Sequence, residues 1–444
     1  MSKLRVLVIS FTDTRAEPRV QRQLRTLERQ GIPFAVASFA PPGSHNEAVN
    51  FIALHDSPTQ VPRQLSDERN GDRHRFLREA LFEVLSTCKR YTRRIVWFVV
   101  GGTYGLLPIT KRLLGASSLG KKVSHLWFRL GWQKTSTYPQ KIRVQLELVE
   151  FKPNLVVFHD FFTSKVAFNL SEEYAARTLF DVHEHAITQY SNQPGWLKFI
   201  APMIRDIEED AAKKSHAIVT VGEGIQTLLG EQYRHMSKTY VVRSVSEFDE
   251  QPFRPSSYPL KLLYSGAISR ERGLVELVES MVSIQDRFTL TIKGPVSDSK
   301  FERRLRKRVD ELHLSQIVKL EEPCGYEEIV QHANNYDVGI FVQPNTSKHK
   351  LYTLPNKFFS YIAAGLALCV SDYPELARIS KEWEFAIFVD GCSPESISAA
   401  LKELSTEKVD LMKTRALAAA KELNWQKEEV LLIELLQALE SRSL

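Results

Sequence analysis

Three groups of residues in this chain have the types and spacing for chemistry. In the first, two apolar runs each end in histidine and acid: NLVVFHD ends in His159 and Asp160, and TLFDVHEH carries Asp181, His183, Glu184 and His185. The second, GAISRERG, opens at Gly266 and sets Arg270 and Arg272 just before Gly273, while a later IKGP adds Lys293. The third, YTLPNKFFS, runs from Tyr352 through Leu354 to Asn356, Lys357 and Ser360. Imidazole beside carboxylate suits proton handling or a polar reaction centre. Guanidinium, ammonium and the free NH groups of a helix start suit anions such as a diphosphate. Each group also has a plain structural reading: a strand-end histidine as a hydrogen-bonder, a solvated helix start, an ordinary helix-to-strand turn. Alternation along a strand puts His183 and His185 on one face, but no third ligand is apparent, so no metal is expected.

The elements that must position these residues read as α/β throughout. Residues 4–10 form an apolar, β-branched run, residues 17–30 have helical spacing through Val20, Leu24 and Leu27, and residues 32–39 supply the next strand. Glu17 and Arg19 read as residues that cap and solvate that helix. Residues 51–54 could be a third strand. The rhythm resumes at residue 152 and continues to a polar, proline-containing linker at 247–258. Beyond it strands and helices alternate again. Pro355 suits a helix entry, residues 356–364 one short helix, Gly365 its left-handed exit and residues 366–370 a buried strand. The expectation is an α/β fold of two Rossmann-like, doubly wound domains facing across a cleft. The divisions are 1–246, with an insertion at about 57–145, then 259–420, and a terminal helix at 421–444. Ligands of such sheets gather at the carboxyl ends of the strands, where the three groups fall.

Charge is unevenly spread. Residues 86–143 hold twelve Lys or Arg and no Asp or Glu, so the rest of the chain is at −6 although the whole is at +6. The longest uncharged run of that segment, residues 95–110, is sixteen residues and is broken by three glycines and a proline. It is too short for the roughly 20 residues that span a bilayer. A basic segment rich in Trp and Phe instead suits the headgroup region of an anionic membrane. Trp97, Phe98, Trp127 and Phe128 would be its apolar anchors, with Arg93, Arg94, Lys111 and Arg112 on phosphates; packing on its own domain and a nucleic-acid surface are the competing readings. No nucleic-acid partner is expected, because the remainder is acidic and has no visible binding module. Four scattered cysteines and a start that runs directly into a strand, without an export-signal pattern, suggest the cytoplasm, peripheral at the inner face of the plasma membrane.

The PNK helix start, the DVHE strand end, EPRV before the first helix and a basic residue ahead of Gly273 together resemble the GT-B glycosyltransferases of family 4. The resemblance covers roughly residues 4–39 and 152–439. It implies a retaining glycosyltransferase that moves a sugar from a nucleotide-diphosphate donor, UDP- or GDP-linked, to a lipid-linked or polysaccharide acceptor, without metal or cofactor. It further implies that His183 and Glu184 serve the catalytic centre, and that Gly266, Arg270, Arg272, Lys293, Tyr352, Leu354, Asn356, Lys357 and Ser360 hold the donor. The terminal helix would cross back to the first domain. The chain departs from the family at Ser360 and Tyr352, where acids are usual, and at Ala267, where an arginine is frequent and Arg270 would substitute. These departures suggest two alternatives: a catalytically weak or inactive GT-B scaffold at the membrane, and a sugar-nucleotide enzyme of the same fold with another reaction, such as an epimerase.

Overall fold

A computed structural model describes residues 4–12, 14, 17–40, 50–54, 137–192 and 195–441. Apolar runs too short for helices, such as Val6–Ile9 and Leu155–His159, are buried along their whole length, as strands of a parallel sheet covered on both faces must be. In the first lobe the strands are β1 (Val6–Ile9), β2 (Phe34–Ser38), β3 (Asn50–Ala53), β4 (Leu155–His159), β5 (Arg177–Val182), β6 (Ala217–Thr220) and β7 (Thr239–Val241). They form one parallel sheet in the order β3-β2-β1-β4-β5-β6-β7. The helices used below are α1 (Pro18–Arg29), α2 (Ala201–Lys214) and α3 (Glu223–Gln232). The helix Tyr138–Leu148, part of which was assigned to the insertion, buries Tyr138, Ile142 and Leu146 in this lobe's core.

The second lobe has β8 (Leu260–Ser265), β9 (Phe288–Lys293), β10 (Val318–Glu321), β11 (Val338–Phe341), β12 (Ala367–Ser371) and β13 (Ala386–Val389), again parallel, in the order β10-β9-β8-β11-β12-β13. Its helices include α4 (Leu274–Ser280), α5 (Ser299–Glu311), α6 (Lys348–Leu351) and α7 (Asn356–Ala363), and α8 (Trp425–Glu440) closes the chain. The topology reverses between β1 and β4 in one sheet and between β8 and β11 in the other, and loops leaving these strands open into the crevice. Gly365 leaves α7 at φ +69°, the left-handed exit its type suggested.

The lobes are packed together, not merely linked. One apolar cluster runs from Val20, Leu24 and Leu27 of α1 through Trp425, Leu432 and Leu436 of α8 to Phe358 and Phe359 of α7. Trp425 Nε1 donates to Thr26 Oγ1 at 2.8 Å, and Glu428 of α8 accepts from Arg243 Nε at 2.6 Å. The terminal helix therefore does return to the first lobe. Arg19 and Glu17 differ from expectation: Arg19 is only 1% exposed and Glu17, at the α1 N-cap, makes no capping hydrogen bond. The cause is tertiary, because α1 lies with its first turn over the carboxyl edge of β5, where a buried acid recruits the guanidinium.

Candidate active site at the cleft

That acid is Asp181. It takes both Arg19 Nε and Gln23 Nε2, with Arg19 at 2.9 Å from each carboxylate oxygen. Burial alone would raise its pKa, but Arg19, His183 and His159 outweigh burial and hold it well below the usual carboxylate range. Above it, His159 Nδ1 and His183 Nε2 meet at 2.9 Å. Burial drives the fully enclosed His159 down to about 3, so it stays neutral. Burial also acts to lower His183, but Asp160, Asp181 and Glu17 outweigh it and raise the pKa. The carboxylates around His183 thus favour its protonated form over that of His159. Ligand atoms of His159, Asp181 and His183 lie within 4.8 Å of one another, a cluster without His185, the partner that strand alternation suggested. A metal there would share Asp181 with the Arg19 guanidinium.

Asp160, noted at a strand end in the sequence but given no role of its own there, lies beside His183. Its backbone lies at φ +57°, ψ 161°, a region that is essentially glycine's. Its carboxylate accepts from the His183 backbone NH at 3.3 Å and faces His183 Nδ1 at 3.8 Å. The next residue along β5's exit, Glu184, keeps 44% of its side-chain surface but sits deep in the cleft. Burial first, then the Asp160 charge, raises its pKa to about 7. Gln189 hydrogen-bonds it, and His349 of the other lobe stands 4.0 Å away.

On the second lobe two cations converge. Lys357, the second residue of α7, is half-buried, with Nζ 4.1 Å over the Tyr264 ring and 5.0 Å from the centre of Phe341. It presses against Gly266, where an added Cβ would lie 2.4 Å from Nζ. Burial, then the Arg272 charge, pulls its pKa well below that of an ordinary lysine. Arg272 is half-buried and has no carboxylate partner among the described residues. It acts electrostatically on Glu184, Tyr190, His349, Lys350 and Lys357, which places it at the centre of the cleft. An anion bound here would meet a guanidinium, an ammonium clamped by rings and the amino end of α7.

Several expected donor contacts are engaged elsewhere. Arg270 turns outward to Asp298, the N-cap of α5, at 2.9 Å and is 55% exposed, so it does not replace the family's arginine. Lys293 meets Glu321 and His332 at 3.4 and 3.0 Å. Ser360 donates to the Asn356 carbonyl and faces Ser246, just before the linker, at 3.2 Å; at 8% exposure it is turned into the lobe junction. Asn356 accepts from Ser244 at 2.8 Å. Tyr352 and Leu354 lie under Gly224 and Gly222 of the first lobe, at 2.5 and 3.0 Å from ideal Cβ positions there. Arg93, Arg94, Trp97, Phe98, Lys111, Arg112, Trp127 and Phe128 lie outside the described residues. No helix among the described residues is long and apolar enough to cross a membrane.

Two parallel doubly wound lobes with a cleft at the carboxyl edges of both sheets are the GT-B fold. Residues 245–423 match the family described as Glycosyl transferases group 1. No curated protein sequence matches the chain. Among solved structures, sucrose-phosphate synthase from Thermosynechococcus elongatus superposes with a TM-score of 0.71 at 12% identity, over 99% of this chain and 100% of that one. A glycosyltransferase from Rickettsia africae gives 0.62 at 12% identity, over 99% of each chain. Anabaena HepE, solved with UDP and glucose, gives 0.60 at 10% identity, over 98% of this chain and 100% of that one. The second lobe is thus a group 1 glycosyl transferase domain, and the protein is a glycosyltransferase of GT-B architecture.

Proposed function

We propose that the chain is a retaining glycosyltransferase of family 4 type that takes a sugar from a nucleoside-diphosphate donor and passes it to a lipid-linked or polysaccharide acceptor at the cytoplasmic face of the membrane. The observation that carries the donor half is the uncompensated pair Arg272 and Lys357 at the amino end of α7, opposite His183 and Glu184 of the other lobe. HepE, which shares the fold, is solved with UDP and with UDP-glucose. The cations and the helix end would take up charge as the diphosphate leaves. His183, its pKa raised by the carboxylates around it, would face the sugar with Glu184 beside it. The acceptor half rests on the basic, aromatic segment of residues 86–143, whose composition suits anionic headgroups.

Calorimetric titration with UDP-, GDP-, ADP- and CMP-sugars tests the reading. One nucleotide class should bind to the wild type, and Arg272→Ala should weaken it by about 1.5 to 3 kcal/mol, the worth of a charged hydrogen-bond set. An Arg272→Ala variant that binds the donor as tightly as the wild type removes Arg272 from the site. A wild type that binds none of them favours the inactive scaffold, for which Ser360, Tyr352 and Arg270, all engaged elsewhere, are the supporting observations.

A further inference from the structure

α5 buries Phe301, Leu305 and Val309 in the second lobe and turns a row of cations outward. Lys300, Arg303, Arg304 and Lys307 stand at the i, i+3, i+4 and i+7 positions of one helix face. Together with Arg270 they line a surface hollow of about 440 Å³, and its lining holds no acid. The acids nearby are already spent: Glu302 on Arg306 at 2.9 Å, Glu279 on Arg308 at 2.7 Å and Glu311 on Lys307 at 3.2 Å. Asp298 caps the helix through the Lys300 and Phe301 NH groups and holds Arg270 at 2.9 Å. Arg304 Nε donates only to the Lys300 carbonyl, at 3.3 Å. Lys300, Arg303 and Arg304 pair with no carboxylate among the described residues. Like charges at these spacings oppose a helix, so the row is kept against its own repulsion.

The hollow lies behind the turn that carries Arg272. α5 starts beyond the carboxyl end of β9, and the turn after β9 is stitched to the turn after β8: Ile268 N donates to the Pro295 carbonyl at 2.9 Å, and Ser297 N to the Ile268 carbonyl at 3.3 Å. The short turn Arg270–Arg272 thereby offers one arginine to each side, Arg272 to the cleft and Arg270 to the hollow. Five cations around one hollow suit an anion that carries several charges close together. A lone carboxylate leaves most of them uncompensated. A phosphate group brings about two negative charges and three acceptor oxygens, which guanidinium groups take in pairs, and linked phosphates repeat that pattern along the row. We propose that this hollow is a second anion site, separate from the cleft, for a ligand with two or more phosphate groups, whether soluble or presented by a lipid headgroup. Arg303, Arg304 and Lys300 are its fixed charges. Arg270 joins them as the ligand draws it from Asp298.

Calorimetry with inorganic triphosphate on the full-length Arg272→Ala chain reads this site with the cleft weakened. Triphosphate should still bind, and adding Arg303→Ala with Arg304→Ala should weaken it by roughly tenfold or more. Asp298→Asn keeps the helix cap but loosens the hold on Arg270, so it should tighten binding by roughly two- to fivefold, the worth of an exposed ion pair released. Thermal melts identify any variant that fails to fold, and Arg303→Lys with Arg304→Lys, which keeps the charge, should recover part of the loss. Binding that vanishes with Arg272→Ala alone belongs to the cleft and overturns the second site. Binding that the paired alanines leave unchanged overturns it as well. Co-sedimentation with phosphatidylcholine vesicles carrying cardiolipin, whose headgroup has two phosphates, then assigns the source. A smaller bound fraction for the paired alanine variant than for the wild type identifies the headgroup, and an equal fraction identifies a soluble phosphate compound.

Discussion

At the scale of single residues, the cleft concentrates charge that the fold alone disfavours. Lys357 is the clearest case: burial and Arg272 depress its pKa in the free protein, and an arriving diphosphate would reverse that. Donor binding at a pH below the ordinary lysine range should therefore take up protons. Titrations in buffers of differing ionisation enthalpy measure the uptake, and a Lys357→Met variant with the same uptake would exclude Lys357 as its source. Asp160 gives a second prediction. Its positive-φ backbone should cost about 1 to 3 kcal/mol, so Asp160→Gly should melt higher while turnover falls, since the carboxylate that supports His183 is gone. A variant that melts lower shows that the carboxylate contacts outweigh the strain. His183, Glu184, Arg272 and Lys357 were legible because strand ends and helix starts aim their side chains at the crevice whatever packs behind them. Arg270, Lys293, Ser360 and Tyr352 were not, because Asp298, Glu321, Ser246 and Gly224, all distant in sequence, decide where they point.

At the scale of elements, the order of strands and helices was readable because parallel strands buried on both faces appear as unbroken apolar runs, and the linker and helix ends carry proline or glycine. What spacing cannot convey is that polar residues of a helix are buried too. α1 encloses Arg19, Arg22 and Gln23, and α2 encloses Glu208, 1% exposed, which accepts from Tyr233 Oη at 2.6 Å just beyond the end of α3. Burial first raises Glu208 to about 7 from 4.5, against the opposing pull of the Tyr233 hydrogen bond. Between those values the unfolded chain holds fewer protons at this position than the folded one. Stability contributed here is thus present below about pH 4.5 and is lost as pH rises towards 7, by on the order of 3 kcal/mol. Glu208→Gln keeps an acceptor for Tyr233 and should remove that part of the slope. Denaturant melts across the window check it, and an unchanged slope would place the titration elsewhere.

At the scale of the whole molecule, the cations proposed for the diphosphate all belong to the second lobe and His183 to the first, so on that proposal transfer depends on how the lobes meet. The seam is held at one end by Trp425 and Glu428 of α8, and nearer the cleft by ion pairs of Lys348 with Glu231 and Arg378 with Glu223. Between them two glycines let the lobes approach. An added Cβ at Gly224 would lie 2.5 Å from Cδ1 of Tyr352 and 3.0 Å from its Cβ, so a branched side chain there has to push the lobes apart or displace Tyr352. Gly224→Val should therefore leave nucleoside-diphosphate binding within about twofold but lower turnover by roughly a hundredfold, the cost of misplacing reacting groups by about 1 Å. Tyr352→Ala in the same chain restores the space and should return much of the lost turnover. If Gly224→Val weakens nucleotide binding as much as turnover, the donor site itself spans both lobes and the assignment of the diphosphate to the second lobe alone is wrong. If the double variant recovers nothing, Tyr352 has a role at the reacting sugar beyond the packing that its position describes.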